Sequence, residues 1–354
     1  MTTNDRVVSW IADRARRRFS QDIELVLLYG SYVNGTANPL SDVDCYFIPK
    51  TERGYKFAVD FILEGVGYDI FPMSWERVEG IAALQEPLLP CVGDVRNLYA
   101  GSEAALRRFQ GIQRRMRENL KSPACSLGAA QARFDAACGA FSQLRRNAGD
   151  YAALRLWAGA VLLALADALA YYNQEYFHFG LKRQYEDIRR LPQKPDGFAG
   201  GYLGVIQAES AEETIVRCRE LIAAVGSYAG WTVREHDAPD RPAPASNRSW
   251  DYAGMASLYE EIRSSFNKIR VCAQTGDAVL AFLSAVCLQD TLLEEAGLGD
   301  TPDSDLMSAY RFADLAPLEA AAKRAERTLV ERITAAGGRI KDFACFEAFL
   351  QAAL

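Results

Sequence analysis

The chain has 354 residues, 49% of them hydrophobic and 24% charged, a composition that excludes a disordered or fibrous protein. Its 40 Lys and Arg against 46 Asp and Glu give a formal net charge of −6 at pH 7. This acidic balance argues against a long basic groove, and we expect no nucleic-acid partner. The 8 cysteines show no Cys-x-x-Cys spacing and there are 2 histidines, which argues against a zinc cluster.

The first 120 residues predict a small mixed sheet with flanking helices. Residues 4–19 are polar and Arg-rich and predict an amphipathic helix. They lack the apolar core of a signal peptide, so we expect a cytoplasmic protein. Ser102 is a suitable N-cap for a long helix that ends near residue 120. Apolar alternation and glycine turns predict strands at 25–29, 43–48, 59–63, 68–71 and 95–99, with a helix at 75–84.

Beyond residue 120 the sequence predicts helices alone, so the fold class is α+β, a small mixed-sheet domain followed by all-helical domains. The most apolar stretch, 157–170, contains Asp167 and follows Arg155, and it predicts a buried core helix rather than a membrane span. We expect domains at 1–118, 119–236 and 250–354, separated by a proline-rich linker at 237–249. Helices are predicted at 131–147, 151–179, 183–190, 211–229, 252–275, 277–296, 303–312, 315–336 and 343–354.

The most informative motif is a Gly-Ser turn followed at a definite spacing by two carboxylates. Gly30 and Ser31 end an apolar strand, and Asp42 and Asp44 open the next one after ten intervening residues. Side chains at i and i+2 of a strand share a face, so the two carboxylates present a joint oxygen surface. Magnesium prefers such oxygens, and a glycine turn lets the backbone approach phosphate, helped by the hydroxyl of Ser31 or Ser41.

A third carboxylate, Asp69, lies on a later predicted strand that is entered from the turn Gly65-Val66-Gly67. A Gly-Ser turn or an Asp-x-Asp pair alone is common and could serve only a loop. Their order, spacing and apolar flanks together favour a site for phosphoryl or nucleotidyl transfer. Asp69 has two candidate roles there, as a metal ligand or as the general base for an acceptor hydroxyl.

These residues resemble the signature of the polymerase-beta-type nucleotidyltransferase superfamily, which is a hydrophobic residue, Gly, Gly or Ser, a gap of roughly ten, Asp-hydrophobic-Asp, and a later carboxylate. The chain looks most like the bacterial antibiotic-type members, which act on aminoglycosides or lincosamides. The resemblance implies two Mg²⁺ ions and transfer of a nucleoside monophosphate, AMP from ATP or another triphosphate, to a small-molecule hydroxyl. The matching residues are Tyr29, Gly30, Ser31, Asp42, Val43, Asp44 and Asp69.

The resemblance also implies a lysine that reaches the triphosphate from the helical domain. Lys182 is the best candidate in this sequence, and Arg183 is the second. Polar residues recur here at spacings of four, three, four and three, which would place them on one face of a continuous helix and form an acceptor wall. Gly180 could end that helix, and a solvated stripe is the alternative. The stripe consists of Tyr171, Glu175, His178, Lys182 and Tyr185.

Within this stripe we expect Glu175, Tyr171 and Tyr185 to contact the acceptor, with Glu175 a weaker candidate for the base. Two other functions stay open. Transfer to a protein or tRNA would require a basic or hydrophobic docking face. A non-catalytic nucleotide-binding module is disfavoured, because such a protein has no physical reason to keep three carboxylates together.

Overall fold

A computed structural model of the chain describes residues 2–234, 251–298 and 305–353. Its N-terminal region is a mixed sheet with helices on both faces, as the sequence predicts. The elements are α1 (Thr3–Arg18), β1 (Ile23–Tyr29), α2 (Gly30–Asn34), β2 (Asp44–Pro49), a 3-10 helix (Glu52–Phe57), β3 (Val59–Leu63), β4 (Val66–Pro72), α3 (Trp75–Ala82), α4 (Pro90–Gly93), β5 (Arg96–Ala100) and α5 (Glu103–Lys121).

The described residues form a six-stranded sheet in the order β5-β1-β2-β4-β3-β6, with β6 at Asp342–Phe343 near the C-terminus. Strand β1 is antiparallel to both β2 and β5, whereas β2 and β4 are parallel. Strands β3 and β4 form an antiparallel hairpin. The two-residue β6 was not predicted, because so short a strand is defined by its partner β3 rather than by its own pattern.

The two faces of the sheet bury different side chains. On one face Leu28 and Phe47 pack in a cluster that includes residues of α1 and Phe349 near the C-terminus. On the other face Leu27 and Tyr46 pack with α3 and α5. Strand side chains alternate between faces, so each strand contributes to both cores. The C-terminal end of the chain is therefore part of the sheet domain's packing.

Most of the other described residues are helical, and these helices share one apolar core. Leu162 and Leu165 of α7 belong to the same buried cluster as Ile269, Phe282 and Leu318 from the C-terminal region. The predicted division at 236–250 stays a prediction, and the linker at 237–249 lies outside the described residues. The helices are α6 (Pro123–Arg146), α7 (Tyr151–Tyr172), α8 (Gln184–Arg190), α9 (Phe198–Gln207), α10 (Ala211–Ala229), α11 (Ala256–Thr275), α12 (Ala278–Glu294), α13 (Ala316–Ala335) and α14 (Phe346–Ala353).

Helix α7 is long and apolar enough to cross a membrane by length and composition, yet 61% of its most apolar 18-residue window is buried inside the protein. Arg155 on this helix is buried and donates to the carbonyl oxygens of Met307, Tyr310 and Ala208 at 2.8–3.1 Å. Its charge is therefore hydrogen-bonded, as burial of an arginine requires. The helix is a core helix, as predicted for 157–170.

Two helix predictions are wrong. The helix predicted over 151–179 ends at Tyr172, because Asn173 returns its side-chain N–H to the Leu169 carbonyl at 2.7 Å and Gln174 adopts a φ of 57°. A separate 3-10 helix follows at Gly180–Arg183. The helix predicted over 303–312 does not form in its described part, 305–312, which consists of turns.

Helix α11 docks on the hairpin that joins β3 to β4. A Cβ atom added at Gly67 would overlap the Glu260 carbonyl oxygen and lie 2.8 Å from the Arg263 Cβ. The Asn267 side chain donates to the Gly65 carbonyl at 2.9 Å. Because the two backbones approach this closely, the glycine in the hairpin sets how the C-terminal region sits on the sheet.

We predict that Gly67→Ala destabilises the protein by about 1–3 kcal/mol, because the added methyl meets backbone that cannot rotate away. Thermal unfolding measures the loss. The matched control is Gly128→Ala in α6, where nothing lies within 4 Å of the new Cβ, and this change should stabilise by about 0.5–1 kcal/mol. Equal melting temperatures for Gly67→Ala and the wild type would contradict the close docking of α11.

Candidate active site

A row of polar side chains crosses three neighbouring strands, β1, β2 and β4, on one face of the sheet. Tyr29 of β1 lies opposite Asp44 of β2. Cys45 pairs with Ile70 in the parallel β2–β4 ladder, which sets Asp44 beside Asp69. Residues at the same register of adjacent strands point to the same side. The fold therefore makes Asp44 and Asp69, which are distant in sequence, neighbours on one face of the sheet.

Gly30 and Asp44 are in direct contact at the centre of this row. Gly30 has a φ of 69°, and a Cβ atom there would overlap the Asp44 carboxylate. The backbone N–H of Ser31 donates to the same carboxylate. The glycine is needed both for its left-handed conformation and for the absence of a side chain. The spacing between the Gly-Ser turn and the aspartates in the sequence thus corresponds, in the structure, to direct contact between the turn and the second aspartate.

Asp42 and Asp44 are partly buried and share an unfavourable electrostatic environment. Burial and the neighbouring charge of Asp42 raise the pKa of Asp44 to about 7. Burial also raises the pKa of Asp42. The positive charge of Lys268 acts the other way on both carboxyl groups, but it leaves both pKa values above their usual range. A cation placed between the two groups would relieve this cost.

Asp69 is hydrogen-bonded to Asp60, its cross-strand partner in the β3–β4 hairpin. Burial, this hydrogen bond and the charges of Asp60, Glu261 and Asp42 raise the pKa of Asp69 to about 9. A hydrogen bond between two carboxyl groups requires a proton, so the Asp60–Asp69 pair holds one proton between its two members. Asp60 was not singled out from the sequence, although the pairing of the two strands in the predicted hairpin would have placed it opposite Asp69.

Within 2–234, 251–298 and 305–353, no three His, Cys, Asp or Glu side chains are grouped closely enough to hold a metal ion by themselves. Asp42 and Asp44 could supply two oxygen ligands. Magnesium commonly takes one or two carboxylates and completes its shell with water and substrate phosphate. The arrangement therefore fits an ion that arrives together with a nucleotide, rather than a permanent structural metal.

Helix α11 contributes two residues to this centre that the sequence did not reveal. The Ser264 side chain is hydrogen-bonded to Asp42, and Lys268 follows one turn later on the same helix face. Both lie in a helix more than 200 residues from the Gly-Ser turn, and nothing in its amphipathic pattern distinguishes them from solvated residues. Only the docking of α11 on the sheet shows that they belong here.

Lys182 reaches the sheet domain from the helical region. Its ammonium group donates to the carbonyl of Thr36, in the loop after α2. Burial and the nearby charge of Lys268 lower its pKa, so two lysines from different elements approach the same space. Arg183 instead places its guanidinium over the Phe179 ring, 4.6 Å from the ring centroid.

The expected acceptor wall is not a single helix face, because α7 ends at Tyr172. Tyr171 is buried and its hydroxyl donates to the Glu86 carbonyl at 3.3 Å. Tyr185 stacks on Tyr202 at 6.1 Å between ring centroids. Glu175 is exposed in the loop after α7. The spacing argument that grouped these three residues is therefore wrong, and their contact with an acceptor stays a prediction.

Ser41 closes the turn before β2. Its hydroxyl accepts from the Asn38 N–H at 2.9 Å, and its carbonyl accepts from the Asn4 side chain at 2.9 Å. These bonds hold the loop that presents Asp42. The hydroxyl of Ser41 is thus already used as an acceptor within the loop, and its role in nucleotide binding stays a prediction.

A protein-family match covers the residues of this geometry. Residues 8–88 match the nucleotidyltransferase domain family. This span contains the Gly-Ser turn and all three aspartates, so the sheet domain is of the nucleotidyltransferase type. No curated protein matches the chain. Among solved structures it is similar to a nucleotidyltransferase-like protein from Exiguobacterium sibiricum, with 12% identity and a TM-score of 0.38, covering 81% of this chain and 92% of that one.

We predict that Gly30→Ala abolishes nucleotide binding at the Gly-Ser turn, because its methyl group would displace the Asp44 carboxylate. Gly35→Ala is the matched control, since Gly35 also has positive φ, 74°, but nothing within 4 Å. Backbone strain costs about 1 kcal/mol or more in both variants. Binding of a nucleoside triphosphate with Mg²⁺, measured by calorimetry, should be lost only in Gly30→Ala. Equal binding by both variants would show that the Gly30–Asp44 contact is not part of a nucleotide site.

Proposed function

We propose that this protein is a Mg²⁺-dependent nucleotidyltransferase that transfers a nucleoside monophosphate, AMP from ATP, to a hydroxyl group of a small molecule and releases pyrophosphate. The observation that carries the proposal is the contact between the Gly30–Ser31 turn and Asp44, which forms with Asp42 a pair of carboxylates whose charge the protein itself does not balance. The family match of residues 8–88 supports nucleotidyl transfer in general.

The donor set suits magnesium, since Asp42 and Asp44 offer hard oxygen ligands. Asp69, the third candidate ligand, would have to give up its hydrogen bond to Asp60 to join them. When bound, Mg²⁺ ions would neutralise phosphate charge in the nucleotide. The chain's own part is to hold Asp44 against the turn that would receive the phosphates and to hold Asp42 against helix α11. That work is shared by the Ser31 N–H and the Ser264 hydroxyl, which fix one carboxylate each.

The lysines around the centre would bind the triphosphate and stabilise the leaving pyrophosphate. Lys182 and Lys268 approach each other closely enough for the charge of Lys268 to lower the pKa of Lys182. Anionic oxygens between them would remove this repulsion, and the stabilisation would grow as charge develops on the leaving group. Arg183, next to Lys182, is the second candidate for phosphate contact.

The acceptor is proposed to be a small molecule because helix α11 contacts Asp42 and Lys182 of the 3-10 segment reaches the loop that follows the Gly-Ser turn, so two elements flank the centre. A site that is flanked by two elements encloses a small acceptor more readily than it admits the surface of a macromolecule. An aminoglycoside or a lincosamide is the leading class from the sequence resemblance. Transfer to a protein or tRNA is the alternative. The main proposal also includes a cytoplasmic location.

The activity test incubates the protein with Mg²⁺, each of four nucleoside triphosphates and a panel of aminoglycosides and lincosamides, and measures pyrophosphate. We predict acceptor-dependent release that falls at least about 100-fold in Asp42→Asn and in Asp44→Asn. Lys182→Met should raise the KM for the nucleotide by about tenfold, the equivalent of one charge-assisted contact.

The control is Asp13→Asn, an exposed residue of α1 that pairs only with neighbouring arginines on its own helix, and it should keep full activity. Release that persists in Asp44→Asn would contradict the proposal. Nucleotide binding without turnover across the whole panel would favour the non-catalytic module instead.

A further inference from the structure

The loop after α7 carries a hydrogen-bonded group that lies outside the carboxylate centre. His178 Nδ1 is 2.8 Å from one carboxylate oxygen of Asp94, and the Tyr176 hydroxyl donates to the other oxygen at 3.0 Å. A Cβ atom at Gly93 would overlap the Tyr176 hydroxyl, so the glycine allows this approach. Both oxygens of Asp94 are thus engaged, and the imidazole is held in one orientation.

This arrangement leaves the second ring nitrogen of His178 available. Asp94 is an acceptor, so Nδ1 carries the proton and Nε2 presents its lone pair. The His178 side chain is 47% exposed, and the nearest carboxylate to Nε2, from Glu175, lies at 3.9 Å, beyond a hydrogen bond. The protein therefore presents an oriented, accessible proton acceptor at this point.

The register of the sheet places this pair beside the Gly-Ser turn. Arg96 of β5 lies opposite Leu28 of β1 in an antiparallel ladder. Asp94, two residues before Arg96, therefore lies beyond the same end of the sheet at which β1 runs into Gly30. Asp44 lies at that end too, on the other neighbour of β1. The His178–Asp94 pair and the carboxylate centre flank the turn from its two sides.

The same loop is anchored again four residues later. Lys182 donates to the Thr36 carbonyl, just beyond the end of α2, and His178 is bonded to Asp94, just before β5. The segment from His178 to Lys182 is thus fixed to the sheet domain at two points. A nucleotide on the Gly30–Ser31 turn would have Lys182 towards one side and His178 towards the other.

We propose that His178 is the general base of the reaction and that Asp94 is its positioning residue, an inference that rests on the proposed function. Nε2 takes the proton of the acceptor hydroxyl while the hydroxyl oxygen bonds to the α-phosphorus. The bond from the α-phosphorus to the bridging oxygen breaks, and pyrophosphate leaves with the electron pair. The imidazolium then returns its proton to solvent. Asp69, which the sequence left open as either a metal ligand or the general base, is hydrogen-bonded to Asp60.

The charged groups that face His178 set the expected pH range. The hydrogen bond to Asp94 and the charges of Asp94, Glu175 and Asp187 raise the pKa of His178 above its ordinary value, although its partial burial opposes this. A raised histidine pKa means that the free base is lost as the pH falls through the neutral range. At saturating Mg²⁺ and nucleotide, which keep Asp44 ionised, kcat should therefore decline on the acid side with the titration of a single group.

The first test measures kcat for pyrophosphate release against pH, with ATP, Mg²⁺ and the aminoglycoside and lincosamide panel. Wild-type kcat should fall tenfold per pH unit below the pKa of His178. His178→Gln keeps a donor for Asp94 but provides no base, and it should lower kcat about 10²–10⁴-fold. The fall of kcat at low pH, the acid limb of the profile, should disappear in this variant. The KM for ATP should change less than about threefold. His236→Gln, which alters the only other histidine in the sequence, should keep the limb.

The second test is proton NMR of the imidazole. In His236→Gln the remaining imidazole signal belongs to His178, so its pKa can be measured directly and should equal the kinetic value. Asp94→Asn should lower both values together, because the negative partner is removed.

Three results would overturn the inference. The acid limb could persist in His178→Gln, the two pKa values could differ, or His178→Gln could only lower the melting temperature and raise the KM. These outcomes, in a protein whose turnover still requires Asp44, would leave the proposed function intact. A wild type with no Asp44-dependent turnover would overturn the proposed function and this inference together.

Discussion

The structure depends on one close contact, in which the Asp44 carboxylate occupies the place where any residue except glycine at position 30 would put its Cβ. This contact joins the end of β1 to the start of β2 and puts a buried charge beside Asp42. Charged groups held together in partial burial cost stability unless something neutralises them. The protein accepts this cost at the position where we propose that Mg²⁺ binds.

Three distant parts of the chain converge on that position. The sheet domain supplies the carboxylates, the loop after α7 supplies Lys182, and α11 supplies Ser264 and Lys268. The C-terminal region is therefore part of the site rather than an appended unit. Its last elements reinforce this, since β6 extends the sheet and Phe349 stacks on Phe61 of β3 at 4.3 Å between ring centroids.

Local sequence patterns were sufficient to predict most of the strands and helices of the fold. The strands before residue 100 follow apolar alternation between glycine turns, and α10 occupies 211–229 as its periodicity predicts. The candidate site was visible because glycine, serine and two aspartates stand at a spacing that one turn and two strands impose. What the sequence could not show is non-local: Ser264 and Lys268 depend on the docking of α11 at Gly67, and the end of α7 depends on the Asn173 cap.

The central claim is that Asp42 and Asp44 are held together without enough positive charge, and the most direct measurement is thermal unfolding of the wild type and Asp44→Asn against pH and Mg²⁺. The pKa of Asp44 is about 7 in the folded protein and 3.8 without perturbation, so ionisation destabilises the fold progressively from about pH 4 to pH 7 and fully above that range.

We predict that Asp44→Asn is more stable than the wild type by about 1–4 kcal/mol at pH 8 and equally stable near pH 4. Mg²⁺ with a nucleotide at pH 8 should stabilise the wild type and leave Asp44→Asn almost unchanged. A wild type that is as stable as Asp44→Asn at pH 8, or that gains nothing from Mg²⁺ and nucleotide, would contradict the account.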